Sequence, residues 1–239
     1  MKISVIIPMY NEEKIIKNTA KELYEYMTKR FGEGEFEVIF SNDGSTDASA
    51  DEVRALGYPE IKLTGYEKNR GKGCAVRTAM LEAEGKFVMF TDADLAYGTE
   101  VIGKLYECYE TNHSSGLFIG SRNVGDGGYD GYTFLRKLMS KTYIKVLCIA
   151  GGFKLTDSQC GCKGFTGEAC KKIFSLCSVD GFAFDLEAIM IADKMGYKIE
   201  EIPVKIINHR ESKINVVKDT LKMLNDFRKI KARVKKLDI

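Results

Sequence analysis

Short apolar runs recur along the first half of the chain, each stopped by polar or turn-forming residues. Ile3 to Ile7, Phe36 to Phe40, Ile61 to Gly65, Phe87 to Thr91 and Leu117 to Gly120 read as strands buried on both faces. Between them, apolar residues fall at three-to-four spacing. One such stretch opens at Asn11-Glu12-Glu13 and carries Ile15, Ile16, Leu23 and Met27. Others run from Cys74 to Glu84 and from Thr99 to Tyr109. Strand and helix alternate about every 25 residues, the pattern of an α/β domain with a mostly parallel sheet and crossover helices. Ligands in such sheets bind beyond the carboxyl ends of the strands. Pro8 to Glu12, Asp43 to Ser45, Asp92 to Asp94 and Ser121-Arg122 all fall at those ends. Four polar clusters on one edge are hard to explain as four independent helix caps.

The alternation stops after Arg122. Asn123 to Gly131 is rich in Gly and Asp and reads as a loop. Tyr132 to Ala150 has helical spacing, with Arg136 and Ser140 one turn apart and Lys137, Lys141 and Lys145 in a second stripe. Asp157 to Phe165 reads as a polar loop. Helices are expected at Gly167 to Phe174 and from Phe184 to about Met195, with a strand at Ile199 to Val204 and a polar loop at Asn208 to Lys213. From about Asn215, Val217, Leu221, Leu224, Phe227, Ile230, Val234 and Leu237 repeat at helical spacing, with Lys222, Arg228, Lys229, Lys231, Arg233, Lys235 and Lys236 among them. This is a basic amphipathic helix, either docked on the sheet or lying on a membrane surface. The expected division is one domain over 1–213 and a membrane- or partner-facing helix over 214–239.

Composition narrows the partners. The 239 residues suffice for one large α/β domain. Thirty-six Lys and Arg against 34 Asp and Glu leave a net charge of +2, so there is no global polyanion signature and nucleic acid is not an expected partner. No apolar run approaches the roughly 20 residues of a spanning helix, and the start lacks a signal pattern. The expected location is cytoplasmic, peripheral at the inner face of a membrane. Seven cysteines, an odd number, fit reduced thiols there, and Cys160-Gly161-Cys162 is too tight for a C-x-x-C zinc or redox pair.

The chemistry centres on the run Phe87 to Phe90, which ends in Asp92 and Asp94. A lone D-x-D also reads as a helix cap beside a solvated acid. In company with the other three clusters it suits Mg²⁺ or Mn²⁺, with substrate phosphates completing the shell. Asp43 can accept from a base imide N–H, and Glu12 can reach ribose hydroxyls. Arg122, Arg136 and Arg210 have the geometry for bidentate phosphate contacts. Gly71-Lys72-Gly73 lacks the spacing of a Walker loop, and no G-x-G-x-x-G follows the first strand. His113 and His209 are the only histidines, and neither suggests a Ser-His-Asp triad or a histidine metal site. A general base, where one is needed, is then a carboxylate; otherwise the nucleophile is already anionic.

Ile6-Ile7-Pro8-Met9-Tyr10-Asn11-Glu12-Glu13, Asn42-Asp43-Gly44-Ser45-Thr46-Asp47, Asn69-Arg70-Gly71-Lys72-Gly73 and Thr91-Asp92-Ala93-Asp94 resemble, in order, the motifs of family 2 glycosyltransferases with the GT-A fold. Gly120-Ser121-Arg122, Asp157-Ser158-Gln159-Cys160-Gly161, Phe184-Asp185-Leu186-Glu187 and Ser212-Lys213 extend the resemblance to the polyprenyl-phosphate branch, to about residue 225. Ala96 stands where mannose-transferring members carry a metal-holding Gln, so the dolichyl-phosphate glucosyltransferases are the better match. Cys162 and the shortened Arg210-Glu211-Ser212 loop depart from the pattern. Relatives often carry carboxyl-terminal membrane helices, a role that falls here to the basic final helix.

The resemblance implies a Rossmann-like sheet and an inverting, metal-dependent transfer of a hexose from UDP-glucose to a polyprenyl phosphate. Pro8, Tyr10, Glu12, Asp43, Gly71, Lys72, Asp92 and Ala93 would bind the donor. Asp92 and Asp94 would hold Mg²⁺ or Mn²⁺, with Asp94 in direct contact. Arg122, Arg136, Ser140, Arg210, Ser212 and Lys213 would bind the acceptor phosphate. Asp94, Asp185 and Glu187 would be catalytic, the last two orienting sugar hydroxyls. Two alternatives stay open: a transferase acting on a hydroxyl in polysaccharide or teichoic-acid assembly, with Asp185 or Glu187 as base, and a non-catalytic nucleotide-sugar-binding scaffold. A membrane-protein partner or a homo-oligomer fits the basic helix equally.

Overall fold

β-Branched and aromatic residues build one seven-stranded sheet. Its strands are β1 (Ile3–Met9), β2 (Phe36–Asp43), β3 (Ile61–Tyr66), β4 (Phe87–Phe90), β5 (Ser115–Ser121), β6 (Lys163–Thr166) and β7 (Lys198–Pro203), in the order β3-β2-β1-β4-β6-β5-β7. β6 runs antiparallel to both neighbours, and every other pairing is parallel. The computed structural model describes residues 1–126, 128–129, 141–142, 144–145, 148, 152, 154–208 and 216–239, with backbone alone over 216–225.

Side chains alternate across the strands, as the pleat requires. Ile3, Val5, Ile7, Val38, Phe40, Phe87 and Met89 face α1 (Ile16–Phe31), α2 (Ser49–Arg54) and α4 (Glu100–Thr111). Ile6, Ile39, Val88, Phe90, Leu117, Ile119 and Phe165 face α3 (Lys72–Glu82), α5 (Gly167–Leu176), α6 (Phe184–Lys194) and α7 (Val216–Lys236). Two apolar layers therefore sandwich the sheet, and the polar clusters are left at its carboxyl edge.

Two expectations need correction. The first helix begins at Ile16 rather than at Asn11-Glu12-Glu13. The amides there are already taken: Asn11 donates to Ser45 Oγ, Glu12 to Ser49 Oγ and Glu13 to Asp47 Oδ2, at 2.7–3.1 Å. Second, the Asp157–Phe165 loop is a strand from Lys163 onward. Lys163 lies in register with Phe90 and Ile119, so β6 joins β4 to β5.

Of the two placements open to the terminal helix, its second half takes the docked one. Phe227, Ile230 and Val234 are buried in the core that α6 shares, and Leu237 packs against it. Burial of each is worth roughly 1.5–3 kcal/mol, enough to hold this half of the helix without a bilayer. Lys194 Nζ donates to the carbonyls of Val234, Lys235 and Leu237, which closes the helix end. Its exposed side carries Arg228, Lys229, Lys231, Lys235 and Lys236. The apolar stripe of this half thus belongs to the core, and the basic face is what it offers outward. Most of the helix expected over Tyr132 to Ala150 lies outside the described residues.

Candidate active site

The β1 and β2 ends are laced together. Besides the three amides above, Thr46 N donates to Asn11 Oδ1 at 2.8 Å. Asn11 has φ +54°, a conformation Asn tolerates better than most residues. Pro8 is buried near the end of β1, whereas Tyr10 is exposed and Glu12 half-buried. Asp43 is buried, and its carboxylate collects Tyr66 Oη at 2.7 Å, Asn69 Nδ2 at 2.9 Å, Arg70 N at 2.8 Å and Gly71 N at 3.0 Å. Four donors fill a carboxylate's acceptor positions. Asp43 therefore organises the Asn69–Gly73 loop, and a base imide would compete with these donors for it.

That loop opens α3 and brings Lys72 to the sheet. Lys72 Nζ lies 2.5 Å from Asp92 Oδ1. Burial works against its charge, yet Asp92 and Asp185 beside it hold its pKa above the usual lysine value. On the other side of Asp92 the backbone of Gly161 closes in: a Cβ there would lie 2.3 Å from Asp92 Oδ2. Only glycine leaves room for this carboxylate. The turn continues through Leu95, which is buried with φ +47°. A bulky residue in this region is strained, and such strain gathers at functional sites. The turn is fixed from several sides. Ala96 N donates to Asp94 Oδ1 at 3.1 Å, Asn208 Nδ2 to Leu95 O at 2.9 Å, Ile207 N to Ala96 O at 2.8 Å, and Thr19 Oγ1 to Ala93 O at 2.7 Å.

Behind Asp92 stands a second cation that sequence reasoning missed. Lys163 is fully buried at the start of β6, with Nζ 2.6 Å from Cys160 O and 3.2 Å from Asp185 Oδ2. Its strand is four residues long and half Gly and Thr, too short and too weakly apolar to signal itself. Asp185, in the first turn of α6, is buried, and its Oδ1 has no hydrogen-bond partner among the described residues. Burial pushes its carboxyl above the usual range despite Lys163 and Lys72. Lys72, Asp92, Lys163 and Asp185 thus form an alternating charge cluster with one unused acceptor.

Glu187 stands differently from its expected role. It is fully buried, and it accepts from Ser178 N and Val179 N at 2.7 and 2.8 Å, Ser178 Oγ at 2.9 Å and Arg233 Nη1 at 2.7 Å. Every acceptor position is used inside the protein, so this acid anchors a loop. Arg122 is likewise occupied. Its Nε and Nη2 fork onto Asp157 at 2.7 and 2.9 Å, and its backbone N–H joins them at 3.1 Å. Burial opposes the charge, but the Asp157 bonds hold its pKa well above the usual value. Asp157 is in turn fixed by its own amide donating to Glu201 at 3.0 Å. Arg122 therefore builds the loop beside the site with its fork already spent. Arg136, Ser140, Arg210, Ser212 and Lys213 lie outside the described residues.

The donor set suits a divalent cation that arrives with a diphosphate. Among the described residues no group of three or more His, Cys, Asp or Glu side chains gathers. Mg²⁺ characteristically takes one or two carboxylates and completes its shell with water and substrate phosphates. Asp92 is already paired with Lys72, and Asp94 lies on the strained turn beside it.

Residues 4–174 match the family model described as glycosyl transferase family 2. A dolichyl-phosphate beta-glucosyltransferase of Trichomonas vaginalis is 32% identical over 237 residues, spanning 95% of this chain and 72% of its own. The Saccharomyces cerevisiae and human proteins of the same name are each 29% identical, spanning 94% and 97% of this chain and 72% and 75% of theirs. Among solved structures, glucosyl-3-phosphoglycerate synthase from Mycobacterium tuberculosis, in complex with Mn²⁺, UDP and glucosyl-3-phosphoglycerate, superposes with a TM-score of 0.73 at 18% identity, covering 99% of this chain and 81% of that one. That likeness establishes a GT-A-like arrangement of a mostly parallel sheet flanked by helices. Among the described residues, no helix is long and apolar enough to cross a membrane.

Proposed function

The chain belongs to glycosyltransferase family 2, and we propose that it moves a hexose, glucose before others, from a uridine diphosphate sugar to a polyprenyl phosphate at a membrane surface. The observation that carries this reading is the similarity to dolichyl-phosphate beta-glucosyltransferases over 95% of the chain, which extends past the nucleotide half into the Asp157, Asp185 and terminal-helix segments.

The side chains support a division of labour. Asp43 and the Asn69–Gly73 loop form the nucleotide end. Lys72 and Asp92 meet the diphosphate and the sugar beside it. Asp94 would hold Mg²⁺ or Mn²⁺, which when bound neutralises charge on the departing diphosphate. Asp185 presents its unpartnered Oδ1 to a sugar hydroxyl, and Lys163 fixes its other oxygen. A phosphate acceptor is anionic at neutral pH and needs no protein base. Its oxygen forms the new bond to the anomeric carbon from the face opposite the diphosphate, the old bond breaks, and UDP leaves with the electron pair, inverting the configuration. Glu187 has no place in these steps. The acceptor's charge is met by Arg136, Arg210, Ser212 and Lys213. Arg228, Lys229, Lys231, Lys235 and Lys236 on α7 supply attraction to an anionic membrane.

A donor screen with polyprenyl phosphate, followed by mass spectrometry, tests the reading. Product from UDP-glucose is expected, and Asp94→Ala should lower its rate by ~10²–10³-fold. Turnover only with hydroxyl acceptors would overturn the lipid assignment. Nucleotide binding without turnover on any acceptor would favour a scaffold.

A further inference from the structure

The donor loop is packed against a second loop, residues 177–183, between α5 and α6. A Cβ on Gly71 would lie 2.5 Å from Asp180 O, and one on Gly73 would lie 2.5 Å from Val179 O. Asp180 Oδ1 accepts from Arg77 Nη2 at 2.5 Å, and Asp180 O accepts from Cys74 N at 3.2 Å. Backbone thus meets backbone with no space between, and one loop cannot shift without the other. The second loop is held from behind by Glu187, which takes the amides of Ser178 and Val179. The last donor in that set comes from the terminal helix. Arg233 Nη1 donates to Glu187 Oε1 at 2.7 Å, and its Nη2 donates to Leu176 O at 2.5 Å. A side chain near the carboxyl end of the chain is therefore two links from the backbone that places Lys72.

We propose that Arg233 is a positioning residue for the donor site: through Glu187 and residues 178–180, α7 sets the conformation of the Asn69–Gly73 loop. Without the guanidinium, Glu187 keeps its buried carboxylate but loses its only ion-pair partner among the described residues, a costly state that is relieved by rearrangement. The amides it holds are the ones that move. The link itself is geometric; calling the loop a donor site rests on the glycosyltransferase reading.

The test uses the full chain carrying Arg233→Met, which keeps the stem of the side chain and removes its charge. Hydrogen exchange read by mass spectrometry should quicken at Ser178 and Val179 and also at Arg70, Gly71 and Cys74, with β1 and β2 unchanged. In turnover, KM for the nucleotide sugar should rise roughly three- to ten-fold while kcat changes less than about two-fold. Arg233→Lys restores a cation to Glu187 and should recover part of both effects; it also carries the measurement where the Met variant accumulates poorly. Faster exchange confined to α7 and residues 176–187, with 70–74 at the wild-type rate, would overturn the proposal. So would equal losses in kcat and kcat/KM. If the wild-type chain turns over no nucleotide sugar, the functional reading fails while the exchange at 70–74 still decides the coupling.

Discussion

Glu37 and Asp185 are buried acids at opposite edges of the sheet, and the protein treats them differently. Glu37, at the amino edge, receives Ser4 Oγ at 2.5 Å and Glu84 N at 2.8 Å, and Lys62 Nζ lies 2.7 Å from its other oxygen. Burial pushes its pKa up, but the donors from Lys62, Ser4 and Glu84 outweigh that and hold it below the usual range. Asp185, at the carboxyl edge, has Lys163 on one oxygen and, among the described residues, no hydrogen-bond donor on the other, and burial wins. Depth does not separate the two; donor supply does. An acid with a donor or cation on both oxygens fastens backbone, and one with an oxygen left over is open to a ligand. Glu187 lies two residues from Asp185, yet by this measure it belongs with Glu37.

The largest effect is expected at Asp185. Asp185→Asn should lower turnover per folded molecule by ~10²-fold, by removing the charged acceptor aimed at the sugar. Glu37→Gln should leave turnover per folded molecule unchanged and lower the unfolding free energy by about 1–3 kcal/mol, because Lys62 and the Glu84 amide lose a charged acceptor. Denaturant titration and steady-state kinetics on both variants read the two effects. Comparable losses of turnover in the two would dissolve the distinction.

A smaller effect is expected where the backbone, rather than a donor, shapes the carboxyl edge. Gly161→Ala would place a methyl against Asp92 Oδ2 and force the carboxylate away from Lys72. A displacement of this size should cost about ten-fold in kcat/KM for the nucleotide sugar. Gly181→Ala, whose methyl would meet open space, is the control. Equal behaviour of the two would show that the fit around Asp92 carries no function.

Much of the carboxyl edge was legible in the sequence because strand ends announce themselves. Phe87 to Phe90 stops at two acids, Phe36 to Phe40 runs into Asn42-Asp43-Gly44, and both lie where the alternation places them. The partners of those acids were not legible. Gly161 meets Asp92 from 69 positions away, just before an antiparallel strand that breaks the alternation and carries Lys163 to Asp185, and no local periodicity encodes such meetings. Asp185 and Glu187 share a helical turn and a charge, so spacing could not tell an acid with an open oxygen from a fastened one. Arg122 looked like a phosphate fork because its matching fork, Asp157, is 35 residues on. The amphipathic pattern of α7 was read correctly as a helix, but a stripe of Phe227, Ile230 and Val234 looks the same whether it meets a bilayer or α6.

The smallest effect concerns acid. A carboxyl whose pKa is lower in the folded than in the unfolded chain stabilises the fold above its unfolded value, and that contribution is lost as pH falls through the folded value. Glu37 is such a group, so its contribution is complete near neutrality and fades below its ordinary value of 4.5. Asp47, Glu168 and Glu200 are shifted in the same direction and also weaken the protein in acid. They titrate equally in the wild type and in Glu37→Gln, and so cancel in the difference between the two. The gap in melting temperature should therefore be widest at about pH 7 and narrow towards about pH 3, where a protonated Glu37 comes to resemble Gln. A gap that stays constant over this range would mean that the Glu37 charge contributes nothing to stability, and the amino edge would lose its claim to be the fastened counterpart of Asp185.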